Sequence, residues 1–208
     1  MRPFLSFYIF AIFFTVHSYG GQYYASIYGG LTSMNSKNFN LTNNSNLSTN
    51  FSNGFTSGAS IGHYINDKLS TEISWTYTTN DHNGVKNESF INQDGNYASN
   101  IIGFTGYYNL NDFKGLQPYV GLSLLLAQEI DIDFESNNIE QSYSTGGNLG
   151  YGLTIGSKYT ISNKYIAFAD LQYSYFSGLD LKHENATGKI SDIDYNPFVL
   201  RVGLSMNF

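Results

Sequence analysis

The chain closes on NPFVLRVGLSMNF, residues Asn196–Phe208. Read back by twos, it gives Phe208, Met206, Leu204, Val202, Leu200 and Phe198, all apolar. Between them stand Asn207, Ser205, Gly203, Arg201 and Val199, which are small, polar or charged apart from the valine. A period of two held this long predicts an extended strand with one apolar and one polar face.

The same period recurs along the chain. It marks stretches at Gln22–Leu31, Phe55–Ile65, Lys68–Thr78, Asn100–Leu110, Gln117–Ala127, Asn148–Ile161 and Tyr165–Phe176. With the last stretch this makes eight strands of roughly ten residues, the length that crosses a bilayer at a tilt. The connections alternate too. Those around Asn66–Asp67, Asn111–Leu116 and Ser162–Asn163 are short, whereas Thr32–Gly54, Thr79–Ser99, Gln128–Gly147 and Ser177–Tyr195 are long and polar. Long connections at every second position all emerge at one end of an up-and-down meander, the plan of a small outer-membrane barrel. The predicted fold is therefore all-β: an eight-stranded antiparallel up-and-down transmembrane β-barrel.

The two faces decide which side meets lipid. One is bulky and aliphatic or aromatic in every strand, and the other is rich in Gly, Ser and Thr. A narrow barrel has no room inside for the bulky face, so that face points to lipid, and closure of the ring leaves no unpaired edge there.

Composition agrees. Aromatic residues make up 17% of the 208 residues, charged ones only 12%, and there are 21 Gly against 3 Pro. The formal charge of −6 comes with no basic run, which argues against nucleic-acid binding. The lack of cysteine excludes a disulfide framework and thiolate metal sites, and favours a bacterial source. At the N-terminus, Arg2 precedes the apolar run Phe4–Val16 and then Ser18-Tyr19-Gly20. A positive start, a short apolar core and a small-x-small site predict a secretory signal peptide over residues 1–20 and a barrel domain over 21–208. The run is too short for a spanning helix.

GASIGHYINDKLSTEISWTY (Gly58–Tyr77), YYNLNDFKGLQPYVGLSLLLA (Tyr107–Ala127) and the terminal strand resemble the outer-membrane β-barrel superfamily of OmpA-type, OmpX-type and opacity-protein barrels. The resemblance spans the strands and leaves the long connections uncovered. It implies an outer-membrane location in contact with lipid and lipopolysaccharide, a monomer, no cofactor and no nucleic-acid partner. It also implies that Phe208 is an assembly signal read by the barrel-assembly machinery. Surface adhesion, host interaction through the long connections, or display as a surface antigen is the function expected. A structural or weakly conducting porin-like barrel is the alternative, and a lipid A-modifying enzyme a more distant one.

Four charges fall on the polar face within strands: Glu72, Lys158, Asp170 and Arg201. Counted from the short turns, Asp170 and Arg201 lie at one height on neighbouring strands, and Glu72 and Lys158 at another, across the lumen. Two negatives and two positives predict an Asp170–Arg201 pair and a Glu72–Lys158 contact, either direct or bridged by water, because an unpaired buried charge costs several kcal/mol. A structural plug is favoured over a channel gate. Trp75, Tyr77, Tyr173, Tyr175 and Tyr195 near the long connections, and Tyr64, Tyr108, Tyr159, Tyr165 and Phe208 near the turns, would form two aromatic girdles.

The segment EIDIDFE, Glu129–Glu135, carries Ile130, Ile132 and Phe134 at the parity of Leu126. It reads as the fifth strand projecting above the membrane as an acidic hairpin. Asp131, Asp133 and Glu135 have the spacing of oxygen ligands, but lack the glycine and distal glutamate of an EF-hand. A catalytic histidine would have to be His82 beside Asp81 or His183 beside Glu184. No nucleophile motif frames either, and no enzyme activity is expected. The N-x-S/T triplets at Asn40, Asn87 and Asn185 are discounted in Asn-rich connections.

Overall fold

A computed structural model describes residues 23–35, 37–41, 46–86, 94–136 and 139–208. The predicted signal peptide lies outside the described residues. The elements are β1 (Tyr23–Ser33), β2 (Lys37–Leu41), β3 (Asn46–Phe51), β4 (Gly54–Tyr64), β5 (Leu69–Lys86), β6 (Asp94–Asn109), β7 (Leu116–Ser136), β8 (Ile139–Thr145), β9 (Asn148–Thr160), β10 (Tyr165–His183), β11 (Lys189–Tyr195) and β12 (Phe198–Asn207).

Eight of these close a ring in the order β1–β4–β5–β6–β7–β9–β10–β12. Every pairing is antiparallel, and β12 returns to β1 in an unbroken register from Tyr24↔Asn207 to Ser33↔Phe198. The strand read first from the sequence is therefore the one that seals the cylinder. The alternation is what fits it there: Leu200, Val202, Leu204 and Met206 are exposed on the outer wall, while Val199, Arg201 and Ser205 are buried in the lumen.

Around the ring the lumen is lined by small polar side chains, several of which pair with one another. Ser26 and Ser205 hydroxyls lie 2.8 Å apart, Thr105 and Ser123 2.8 Å, and Thr56 and Thr78 3.0 Å. Glycine provides the remaining room. A Cβ at Gly62 would fall on the Tyr24 ring, and one at Gly58 on the Tyr28 ring. These glycines let two tyrosines fold across the lumen.

The long connections are not plain loops, contrary to the sequence-based expectation. They carry the wall onward as a second closed ring, β3–β5–β6–β7–β8–β10–β11–β2. Four staves run without interruption through both rings: β5, β6, β7 and β10. The other four are broken, with β2 above β1, β3 above β4, β8 above β9 and β11 above β12. By the rule that short turns are periplasmic and long connections external, the second ring is the outer one.

The two rings obey opposite rules. The outer ring holds the hydrophobic core, including Tyr97, Ile130, Ile132, Phe176, Leu179 and Ile190. Water surrounds this part, so apolar groups turn inward as in a soluble protein. Lipid surrounds the inner ring, so its apolar groups turn outward.

Two of the strands that serve both rings, β7 and β10, change face, whereas β6 keeps one parity inward from Tyr107 through Thr105, Ile101 and Ser99 to Tyr97. Leu126 is 38% exposed on the outer wall, yet Ile130, Ile132 and Phe134 are buried inside. The shared parity predicted for these residues is thus incorrect. The reason is a bulge. Ala127 pairs with Ile101 and Glu129 with Asn100, leaving Gln128 unmatched, and one extra residue inverts every side chain beyond it. In β10 the change comes between Phe176 and Leu179, at Gly178 with φ +63°. Opposite it, Asp192 adopts φ +60°, and the register between β10 and β11 shifts again before Leu181↔Ile190.

Asn80 lies at the junction of the rings and is wholly buried. Its Nδ2 donates to the carbonyls of Thr32 (3.3 Å) and Ser52 (3.0 Å), and its Oδ1 accepts from the Thr32 hydroxyl. Asn80 thereby ties the end of β1 to the segment between β3 and β4.

Candidate functional site

Two places collect side chains that need a reason: the lumen of the inner ring and the outer ring with its acidic surface.

In the lumen, Asp170 and Arg201 are register partners on β10 and β12. Arg201 Nε donates to Asp170 Oδ1 at 2.7 Å and Nη2 to Oδ2 at 3.0 Å, a two-pronged charge-assisted pair. Tyr119 adds its hydroxyl to Asp170 Oδ2 at 2.6 Å. The guanidinium also lies 4.8 Å from the centre of the Tyr28 ring.

Glu72 and Lys158 form no ion pair, so of the two forms expected for their contact the direct one does not occur. Among the described residues the lumen has no second ion pair. Lys158 Nζ instead donates to Asn109 Oδ1 at 3.3 Å and sits 4.8 Å from the Tyr119 ring and 5.5 Å from the Tyr107 ring. Tyr107 in turn donates its hydroxyl to Glu72 at 3.2 Å. Two tyrosines thus stand between the charges: Tyr107 touches Glu72 and Lys158, and Tyr119 touches Lys158 and Asp170. Their rings meet edge to face at 5.4 Å. Charge counting missed these tyrosines, although their position among small residues on the lumen face of β6 and β7 was a visible signal.

What the network leaves open is small. The lumen cavity beside it is about 20 Å³, bordered by Tyr24, Tyr64, Glu72, Tyr107, Lys158 and Arg201 among others. That is room for one or two waters. Above it the outer core closes the bore a second time with packed side chains such as Leu125, Ile101 and Phe176.

The aromatic residues divide. Trp75, Tyr108, Tyr159, Tyr165 and Phe208 are exposed on the wall of the inner ring. Tyr77, Tyr173 and Tyr175 lie on the same wall and contact neighbouring rings, with Tyr77 6.0 Å from Phe55, Tyr173 4.8 Å from Phe198 and Tyr175 5.2 Å from Tyr151. Two expectations are corrected. Tyr195 is completely buried in the outer core, where its hydroxyl lies 2.8 Å from that of Ser99. Tyr64 turns to the lumen, donating to Asn207 Oδ1 at 3.3 Å, with its ring 4.9 Å from Tyr24. Phe208 donates its backbone N–H to the Tyr23 carbonyl at 3.0 Å, and the two rings stack at 6.4 Å.

On the outer ring, β7 and β8 pair as the hairpin expected from EIDIDFE. Burial, and then the charges of Asp133, Glu129 and Glu184, push the Asp131 carboxyl up to about 7. The side chain of Glu135 lies outside the described residues. Among those described, no three His, Asp or Glu side chains converge as metal ligands. His183 Nδ1 accepts the Asn185 N–H at 3.1 Å, and its ring packs edge-on against Tyr143 at 4.8 Å. The side chain of His82 lies outside the described residues.

The architecture has a counterpart among known proteins. Residues 61–196 match the family model described as Opacity family porin protein. The chain belongs to the Opacity porin family. It is accordingly a protein of the bacterial outer membrane. No curated protein matches the chain by sequence. Among solved structures, the barrel resembles OprG of Pseudomonas aeruginosa, with a TM-score of 0.64 and 13% identity over 91% of this chain and 97% of that one. It also resembles Neisserial surface protein A, with a TM-score of 0.52 and 18% identity over 89% of this chain and 97% of that one. At such identities the likeness is one of fold.

Proposed function

We propose that this Opacity-family barrel acts through its outer ring, as a surface protein for adhesion or host interaction and as a displayed antigen. The observation that carries the reading is where order is spent. The bore is filled twice over, by the Tyr107–Tyr119 charge network and by the outer core, while four staves run unbroken into the exterior. A channel needs an open bore. A binding platform needs a held surface, and a closed outer ring supplies one.

The charge of that surface narrows the partner. Residues 32–54, 79–99, 128–147 and 177–195 contain twelve Asp and Glu against four Lys. A field of that sign attracts basic partners and repels sulfated or phosphorylated ones. A basic protein segment on the host side suits it better than an acidic polysaccharide.

The inner ring, in this reading, is an anchor. Trp75, Tyr77, Tyr173 and Tyr175 seat it at one membrane interface and Tyr108 and Tyr159 at the other, and it stands as a monomer among lipid and lipopolysaccharide. Phe208 serves as the address for the assembly machinery, and residues 1–20 as the export signal.

The test compares cells displaying the full chain with cells displaying a barrel in which tight turns replace the four outer extensions. Loss of host-cell binding in the second supports the proposal, and unchanged binding refutes it. The alternative, a weakly conducting barrel, is separated by planar-bilayer recording. Steady conductance from the full chain would favour it, and a silent bilayer is expected here.

A further inference from the structure

Two of the three periplasmic turns share one construction, and the remaining one is held by a side chain as well. In the first, Asn66 Oδ1 accepts the N–H groups of Lys68 and Leu69, both at 2.9 Å, and Ile65 N–H donates to the Leu69 carbonyl. In the third, Ser162 Oγ accepts the N–H groups of Lys164 and Tyr165, and Ile161 N–H donates to the Tyr165 carbonyl. One hydrogen-bond scheme serves Ile65-Asn66-Asp67-Lys68-Leu69 and Ile161-Ser162-Asn163-Lys164-Tyr165 alike. The second turn reaches a similar result by other means. Asp112 Oδ1 accepts the Gly115 N–H at 3.0 Å, and Lys114 and Gly115 take positive φ.

Each turn carries a lysine and an exposed apolar side chain. Ile65 is 57% exposed, Phe113 66% and Ile161 57%, each on the turn that carries Lys68, Lys114 or Lys164. Lys114 Nζ stands 5.5 Å from the Phe113 ring and Lys164 Nζ 5.9 Å from the Tyr165 ring. Among the described residues, none of these three ammonium groups is in an ion pair.

An exposed isoleucine or phenylalanine next to a lysine places that lysine at the edge of the hydrocarbon and not in bulk water. What lies at that depth in the periplasmic leaflet is lipid phosphate. We propose that the periplasmic rim binds the phosphodiester of an anionic glycerophospholipid, with Lys164 as the strongest contact. Lys68 and Lys114 each have an aspartate in the same turn, Asp67 and Asp112, whereas the Lys164 turn carries only Ser162 and Asn163. Its positive charge is therefore not offset within the turn.

The test is native mass spectrometry of the full chain, delipidated in detergent and mixed with phosphatidylglycerol or with phosphatidylethanolamine of the same acyl chains. The expected result is severalfold greater retention of phosphatidylglycerol. That excess falls most in K164Q among the single variants and disappears in K68Q/K114Q/K164Q. The outer-ring variant K182Q/K189Q retains it in full. Equal retention of the two lipids by the natural chain overturns the proposal, as does a triple variant that keeps the preference. If the triple variant gives no heat-modifiable band, K164Q alone decides: retention at the natural level overturns the proposal.

Discussion

Leu126 and Ile130 lie four residues apart on one unbroken strand and face opposite sides of the wall. Gln128, between them, has no partner on β6. The strand therefore passes from lipid to water without presenting an apolar side chain to the wrong solvent. Deleting Gln128 restores the simple alternation and turns Ile130, Ile132 and Phe134 outward. Each of the three side chains contributes about 1.5–3 kcal/mol when buried, so the outer ring should open while the inner ring persists. Limited proteolysis checks this: cleavage should appear within residues 129–145 of a variant that still shows a heat-modifiable band.

The Asp170–Arg201 pair has 4% or less of either side chain accessible. Removing one partner leaves a buried charge without its direct partner, and Lys158 and Glu72 offset it only from a distance. Arg201→Met and Asp170→Asn should each lower stability by about 3–5 kcal/mol, read as the urea midpoint of the barrel in detergent. The double variant should lose less than the sum, because both charges leave together.

Asn80 donates to the carbonyls of Thr32 and Ser52 across the junction of the rings. Asn80→Leu fills similar space without donors and removes both hydrogen bonds, at a cost of about 1–3 kcal/mol in all. The loss should be local. Amide exchange should quicken around Thr32 and Ser52 and stay unchanged near Ser26 and Ser205.

The Asp131 carboxyl, raised to about 7 by burial and by Asp133, Glu129 and Glu184, gives the outer ring a pH dependence. An acid whose folded value exceeds its unfolded one binds its proton more tightly when folded. Its contribution is therefore favourable at low pH, fades between about pH 4 and 7, and is constant above. The hairpin of β7 and β8 should resist protease better at pH 5 than at pH 8, by about 1 kcal/mol once solvent screening at this half-open site is allowed for. Asp131→Asn should abolish the difference.

Alternation made the inner ring readable because one solvent surrounds all of it. From Tyr24 to Asn207, every strand of that ring follows one rule, and the heights of Asp170 and Arg201 come directly from counting residues. The outer ring was hidden for the complementary reason. Leu126, Gln128 and Ile130 keep a period of two across the bulge, so nothing in the spelling says that the environment has changed. Tyrosine was the other ambiguity. It suits a membrane interface, a polar lumen or an apolar core, and Tyr175, Tyr64 and Tyr195 occupy one of each. The distance between Glu72 and Lys158 depended on side-chain direction, which backbone height does not fix.

The four continuous staves have a mechanical meaning. β7 alone has 21 residues, about 70 Å along its path at the usual rise per residue. Even tilted by about 40°, it outruns a hydrocarbon layer of about 25 Å by a similar distance again. The upper ring is therefore carried on a stiff mast rooted in the bilayer, clear of the lipid headgroups. On the proposed reading, a ligand or antibody arriving there would meet strands already paired into a wall. Binding then costs little ordering entropy, and recognition follows the contour of the wall more than the letters of any one segment.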